Sequence, residues 1–140
     1  MIQRIQTIFL FLAALSNAGL FALPWAASAA PTEAGVYADG RLGAGDHIAI
    51  TVAVIAATVL ALAAIGLFKN RKLQVQITSF SLLLAVAAGA FGGWLYYSAG
   101  QAAAVQPGWL MLAPVVVFSM LAVRYIRKDE KLVRSADRLR

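Results

Sequence analysis

The stretch Lys69-Asn70-Arg71-Lys72 separates two long apolar runs and sets the orientation expected for the whole chain. It contains three of the chain's 12 Lys and Arg residues. Short loops rich in Lys and Arg remain on the cytoplasmic side of a membrane. We therefore expect the chain to reverse direction here, at the cytoplasmic face.

Composition supports a membrane protein. Of the 140 residues, 61% are hydrophobic and only 13% are charged, whereas soluble domains are close to half apolar and about a quarter charged. The formal net charge of +6 could suggest a nucleic-acid partner. The cations cluster at the ends of apolar runs, however, which favours contact with anionic lipid over nucleic acid. The chain contains no cysteine, which excludes disulfides and thiolate sites.

Working outward from the basic stretch, four apolar runs predict an all-α bundle of four transmembrane helices. The predicted spans are residues 5–25, 48–68, 75–97 and 109–126. A helix of about 20 residues is roughly 30 Å long, enough to cross the hydrocarbon core. Asp46 is positioned to cap the second helix. Gln74, Gln76, Thr78, Ser79 and Ser81 make the start of the third run amphipathic, and we expect that start to lie at the membrane interface.

The first run also fits a secretory signal peptide, with Arg4 before it and Ala27-Ser28-Ala29 after it as a cleavage site. The run is longer than the usual apolar region of such a peptide, roughly 7–15 residues. We therefore expect a retained span. Residues 30–46 and 98–107 have turn-forming composition, and we expect them to be loops outside the membrane.

Charge distribution predicts that both ends of the chain are cytoplasmic. Eleven of the 12 Lys and Arg residues fall on one side of the predicted spans, and Arg41 alone falls on the other. Aromatic residues near the outer ends of the spans are typical of the belts found at membrane interfaces. These residues are Trp25, Trp94, Tyr96, Tyr97 and Trp109.

The last residues form a distinct basic segment. We predict a transmembrane domain at residues 1–127 and a cytoplasmic tail at 128–140, folded as a short amphipathic helix on the inner leaflet. Glu130 and Arg134 have the spacing of a helical ion pair. A solvated tail that only enforces topology is the alternative. The residues expected to contact anionic lipid or a partner protein are Lys69, Arg71, Lys72, Lys128, Lys131, Arg134, Arg138 and Arg140.

Small residues recur in the third run. Ala85, Gly89 and Gly93 are spaced by four, which allows two helix backbones to approach closely in lipid. We expect this face to pack within the chain's own bundle. The alternative is a face for a membrane-protein partner or a second copy of the chain.

No catalytic, cofactor-binding or metal-binding residues are predicted. Ionisable residues within membrane spans usually mark function, and none lies in the middle of a run. His47, the only histidine, is best explained as a polar helix terminus. Ser16, Asn17, Thr51 and Thr58 could line a solute path, but hydrogen bonding within or between helices is the simpler explanation.

Three segments of the chain resemble a known family. They are Met1-Ile-Gln-Arg-Ile-Gln6, Leu67-Phe-Lys-Asn-Arg-Lys-Leu73 and Lys128-Asp-Glu-Lys-Leu-Val-Arg-Ser-Ala-Asp-Arg-Leu-Arg140. They are similar to the domain-of-unknown-function 4293 family, small four-span inner-membrane proteins of Bacteroidota-type bacteria. The resemblance implies four retained spans. It implies no activity and no catalytic residue.

Together these patterns lead to one functional hypothesis and one alternative. The hypothesis is a non-enzymatic assembly or accessory subunit of a membrane complex that uses its basic cytoplasmic face. The alternative is a small transporter or channel for a weakly polar solute. Convergence of the hydroxyl and amide side chains on one cavity would favour transport.

Overall fold

The protein folds as four long helices. The structure is a computed structural model that describes residues 2–28, 39–98 and 103–137. The helices are α1 (Ile2–Ala22), α2 (Ile48–Gly66), α3 (Arg71–Ser98) and α4 (Leu112–Asp137), and a short 3-10 helix, Pro107–Met111, precedes α4. All four are long and apolar enough to cross a membrane.

The helices form a closed ring. Each packs against the next along the chain, and α4 packs back against α1. The rings of Phe9 on α1 and Tyr125 on α4 stack with centroids 5.3 Å apart. The start of α1 and the later part of α4 therefore lie at the same end of the bundle. The α2–α3 turn lies there too, because Arg71 pairs with Asp129 of α4. We call this end the basic end and the other the opposite end.

The distribution of large and small side chains is that of a protein surrounded by lipid. Buried helix positions are mostly alanine or polar residues, for example Ala57, Ala61, Ala64, Ala85, Ala88, Asn17 and Ser119. Large apolar side chains point outward, for example Phe11, Leu15, Ile55, Val59, Phe80, Leu83 and Met120. Soluble proteins do not expose so much continuous apolar surface, and small residues at helix interfaces are typical of membrane bundles. The chain is therefore a multi-pass membrane protein.

The start of α3 turns three of its five polar side chains inward, whereas Gln76 and Ser79 are exposed, and its position at the membrane interface stays a prediction. Gln74, Thr78 and Ser81 are buried on one face, and Phe80 is exposed on another. Ser81 Oγ donates to the carbonyl oxygen of Ala57 at 2.6 Å, and Gln74 Nε2 donates to that of Ala64 at 2.9 Å. These bonds join α3 to α2, which explains why the side chains of Gln74 and Ser81 point into the bundle.

A small antiparallel sheet covers the opposite end. Its strands are β1 (Ala26–Ser28), β2 (Arg41–Leu42) and β3 (Ala103–Val105), in the order β2-β1-β3. The sequence predicted loops at β2 and β3 and assigned no element to β1. Strands of two or three residues are too short to show the alternation by which a strand is recognised. Residues 29–38, most of the predicted 30–46 loop, lie outside the described residues.

Trp25 forms the centre of the core at the opposite end. It is 1% exposed, and its Nε1 donates to the carbonyl oxygen of Leu20 at 3.0 Å. Its ring lies 5.4 Å from that of Trp109. The prediction that Trp25 belongs to an interfacial belt was wrong, because its indole is satisfied inside the bundle. Trp94 and Tyr97 are exposed by 60% and 85%.

The end of α1 and the capping residue of α2 differ from the prediction. Helix α1 ends at Ala22 rather than residue 25, because Trp25 leads directly into β1 and its backbone N–H donates to the carbonyl oxygen of Leu42. His47, not Asp46, caps α2, since His47 Nδ1 accepts from the N–H of Ala49 at 3.2 Å. The Asp46 carboxylate instead accepts from the N–H of Gly43.

Helix α4 continues past the predicted domain boundary at residue 127. It is unbroken to Asp137, so the residues predicted as a separate surface helix extend α4 instead. The stretch after Ile126 contains neither Gly nor Pro, the residues that most disfavour a helix interior. The buried residues of α4 recur at helical spacing, and this stripe continues past residue 127 to Asp129. Its members are Val115, Ser119, Ala122, Ile126 and Asp129.

Candidate functional site

The α2–α3 turn places three cations at the basic end. Asn70 Oδ1 accepts from the N–H of Leu73 at 3.2 Å, which satisfies one of the free amides at the start of α3. Lys69 and Lys72 are exposed. The turn therefore presents two cationic side chains outward from a backbone that is held by its own hydrogen bonds.

Arg71, the third cation, is ion-paired within the bundle. Its Nε lies 2.8 Å from Asp129 Oδ2, and the two side chains are 20% and 12% exposed. This pair ties the α2–α3 turn to α4 across 58 residues of sequence. The sequence assigned Arg71 to lipid or partner contact, but its guanidinium is already engaged with a carboxylate of the same chain.

The predicted ion pair between Glu130 and Arg134 is confirmed. Arg134 Nη2 lies 2.7 Å from Glu130 Oε1. The pair is more exposed than that of Arg71 and contributes little, about 0.3–0.5 kcal/mol. Its position matters more than its energy. Asp129 and Glu130 both have cationic partners, so neither carboxylate is available to neutralise the remaining cations of α4.

An open groove of about 570 Å³ lies between α3 and α4 at the basic end. Its lining residues are Ser79, Leu82, Met120, Val123, Arg124, Arg127, Lys128 and Lys131. The four cations occupy positions i, i+3, i+4 and i+7 of α4 and therefore share one helix face. Leu82, Met120 and Val123 form an apolar floor on the side nearer the middle of the bundle.

Two of the four cations in the groove were not assigned to a site from the sequence. Arg124 and Arg127 were used to predict topology but not to predict contact, whereas Lys128 and Lys131 were assigned to contact and do line the groove. The i, i+3, i+4, i+7 spacing was a readable signal for all four. Arg138 and Arg140 lie outside the described residues.

Three buried amide side chains lie inside the bundle. Among the described residues, neither polar atom of Gln6 or of Asn17 has a hydrogen-bond partner, and Gln74 uses its Nε2 but not its Oε1. Ser16 and Asn17 were interpreted as a pair forming interhelical bonds. Ser16 Oγ instead donates to the Leu12 carbonyl oxygen of its own helix at 2.8 Å.

The hydroxyl groups considered for transport bind to nearby backbone. Thr58 Oγ1 donates to the carbonyl oxygen of Val54 at 2.8 Å, and Thr51 Oγ1 donates to that of Ala44 at 2.8 Å. Neither threonine lines the groove. Ser16, Thr51 and Thr58 thus bond to backbone close to them in sequence, which gives the transport alternative no support.

The small residues of α3 lie against the chain's own core. A Cβ at Gly89 would lie 2.6 Å from Leu112 Cδ1, and one at Gly93 would lie 3.3 Å from Trp109. Gly92 is covered by the indole of Trp25. Ala85 is fully buried beside Ala57 and Val115. This face is occupied within the bundle.

Comparison with known proteins identifies a family. A family model described as a domain of unknown function, DUF4293, matches residues 2–139, nearly the whole chain. No curated protein and no solved structure matches the chain. The family match carries no activity with it.

Proposed function

Since the chain belongs to the DUF4293 family, we propose that it is a non-enzymatic accessory or assembly subunit of a complex in the bacterial cytoplasmic membrane. In this proposal the basic end faces the cytoplasm, and both ends of the chain lie on that side. A partner protein docks on the α2–α3 turn.

The supporting observation is the pair of outward cations Lys69 and Lys72 on a fixed turn. Both are exposed, and neither takes part in the two ion pairs found in the described part of the chain. The Arg71–Asp129 pair fixes the turn against α4. Paired charges at the rim of an interface guide association and fix its register. A rigid basic turn therefore suits a partner with an acidic surface.

The orientation can be tested by cysteine labelling, because the chain has no native cysteine. Lys128→Cys and Gly45→Cys place one thiol at each end of the bundle. Gly45 is exposed, and a Cβ there has nothing within 4 Å. We expect a membrane-impermeant maleimide to label Gly45→Cys in intact spheroplasts, and Lys128→Cys only after permeabilisation. Labelling of Lys128→Cys in intact spheroplasts would reverse the orientation.

The subunit role can be tested by purifying the full chain from its own membrane in mild detergent after cross-linking. The variants are Lys69→Gln/Lys72→Gln and, as a control with the same loss of charge, Arg127→Gln/Lys131→Gln. We expect one partner at a fixed ratio with wild type and control, and its loss with the turn variant. Recovery of wild type as a lone chain, or equal retention by all three proteins, would contradict the proposal.

A further inference from the structure

We propose that the groove between α3 and α4 is a binding site for one anionic phospholipid. The lipid phosphate lies among Arg124, Arg127, Lys128 and Lys131, and an acyl chain lies along the apolar floor. This proposal concerns a different surface from the partner-binding turn, and it does not depend on the subunit role.

The charges of the groove favour an anion. Four cations face one cavity on successive turns of α4, and none of the described lining residues is a carboxylate. The two nearest acids in the sequence, Asp129 and Glu130, bind Arg71 and Arg134, which do not line the groove. The positive charge of the groove is therefore not cancelled by either neighbour. Basic pockets between transmembrane helices are typical sites for phosphate-bearing lipid headgroups.

The order of residues along α4 favours a lipid over a free anion. Met120 and Val123 precede the cations, and Lys131 lies 11 residues after Met120, roughly 16 Å along the helix. Apolar residues therefore line one end of the groove and cations line the other. A phospholipid has the same order of an apolar chain and a charged headgroup. A free phosphate would use only the cationic end.

The surroundings of the floor also favour a lipid. Phe80 and Leu83, which directly follow the groove-lining residues Ser79 and Leu82 of α3, are 54% and 60% exposed. Met120, in the floor itself, is 60% exposed. The floor thus continues into the apolar outer surface of the bundle, where acyl chains surround a membrane protein. Ser79 adds a hydroxyl at the level where the apolar and cationic parts of the groove meet.

The test measures lipid binding to the purified full chain by native mass spectrometry, with phosphatidylglycerol and phosphatidylcholine as probes. We expect one phosphatidylglycerol to bind wild type in preference to phosphatidylcholine. Arg127→Gln/Lys131→Gln should weaken that binding roughly 30-fold, because each cation near an anionic headgroup contributes about a fivefold factor. Lys69→Gln/Lys72→Gln, with the same charge loss outside the groove, should weaken it less than threefold. Arg127→Lys/Lys131→Arg should retain it.

Two further measurements distinguish the contribution of the lipid headgroup from that of its acyl chain. Leu82→Trp fills the apolar floor without changing charge and should also weaken phosphatidylglycerol binding, with thermal unfolding confirming that the variant is folded. Soluble glycerol phosphate should not displace the lipid. Equal weakening by both double variants would mean nonspecific charge attraction and overturn the proposal. Displacement by glycerol phosphate, unaltered binding to folded Leu82→Trp, or a second copy of the chain in place of lipid would overturn it as well.

Discussion

The two ends of the bundle are built from different chemistry. At the opposite end, Trp25 is enclosed by Leu20, Ile50 and neighbouring apolar residues, and a small sheet covers the helix ends. At the basic end, Gln6, Gln74 and Asp129 are buried, and Asp129 pairs with the part-buried Arg71. Apolar packing thus dominates at one end, whereas at the other the Gln74 hydrogen bond and the Arg71–Asp129 ion pair add polar links to the apolar contacts between helices. The groove and the exposed side chains of Lys69 and Lys72 lie at the basic end.

The largest effect on stability is expected when Trp25, the central side chain of the opposite end, is removed. Trp25→Ala deletes a buried indole together with its hydrogen bond to Leu20. We expect a loss of about 3–5 kcal/mol in the free energy of unfolding, the range for large aromatic residues in cores. Unfolding in mixed micelles by SDS titration measures it. Trp94→Ala, at a 60% exposed position, should cost less than about 1 kcal/mol. Equal losses would show that Trp25 is not central.

A smaller effect is expected where α3 meets Trp25. A Cβ at Gly92 would lie 2.7 Å from Trp25 Cε3 and closer still to its neighbour Cζ3, so Gly92→Ala must displace a fully buried ring. Overpacking costs about 1–3 kcal/mol, which exceeds the gain of about 1 kcal/mol that alanine brings to a helix interior. We therefore expect a net loss. Gly66→Ala, with nothing within 4 Å of its Cβ, keeps the gain alone and should not destabilise. The same SDS titration compares them.

Most of the fold could be predicted from the sequence, because membrane helices are recognised by long apolar runs. The four spans and the turn at Lys69 follow from that rule, and the Glu130–Arg134 pair follows from helical spacing. The strands could not be predicted, since Arg41 and Leu42 alone show no period. The burial of Trp25 depends on how the chain returns over the helix ends, which no local pattern contains.

The candidate site was only half predictable for the same reason. Lys128 and Lys131 stood out in a charged tail, but the groove exists because α4 packs beside Ser79 and Leu82 of α3. The Arg71–Asp129 pair joins positions 58 residues apart. One signal was available for Asp129, because it continues the stripe of Ser119, Ala122 and Ile126 at helical spacing.

The two ion pairs of the basic end should contribute differently to stability, because one is mostly shielded from solvent and the other is more exposed. Asp129→Asn removes the carboxylate from a pair that is mostly shielded from solvent, and we expect a loss of about 1–2 kcal/mol. Glu130→Gln removes a more exposed pair one residue away and should cost about 0.3–0.5 kcal/mol. SDS titration of both variants gives the comparison. Arg71→Gln combined with Asp129→Asn should recover part of the loss, because no charge is then left unpaired. If the two single variants cost the same, the Arg71 pair is not what ties the turn to α4.

The smallest expected effect is the difference in stability between variants of Gln6 and Gln74, two glutamines of the basic end that are both fully buried. Gln74 donates across to α2, whereas neither polar atom of Gln6 has a partner. Gln74→Met should therefore lose about 1 kcal/mol, the value of an interhelical hydrogen bond in lipid. Gln6→Met has similar volume and removes only unpaired groups, so it should be neutral or slightly stabilising. SDS titration of the two variants under identical conditions measures the difference. A loss at Gln6 equal to that at Gln74 would mean that its amide has a partner in the membrane, and the basic end would then contain a polar contact beyond those described.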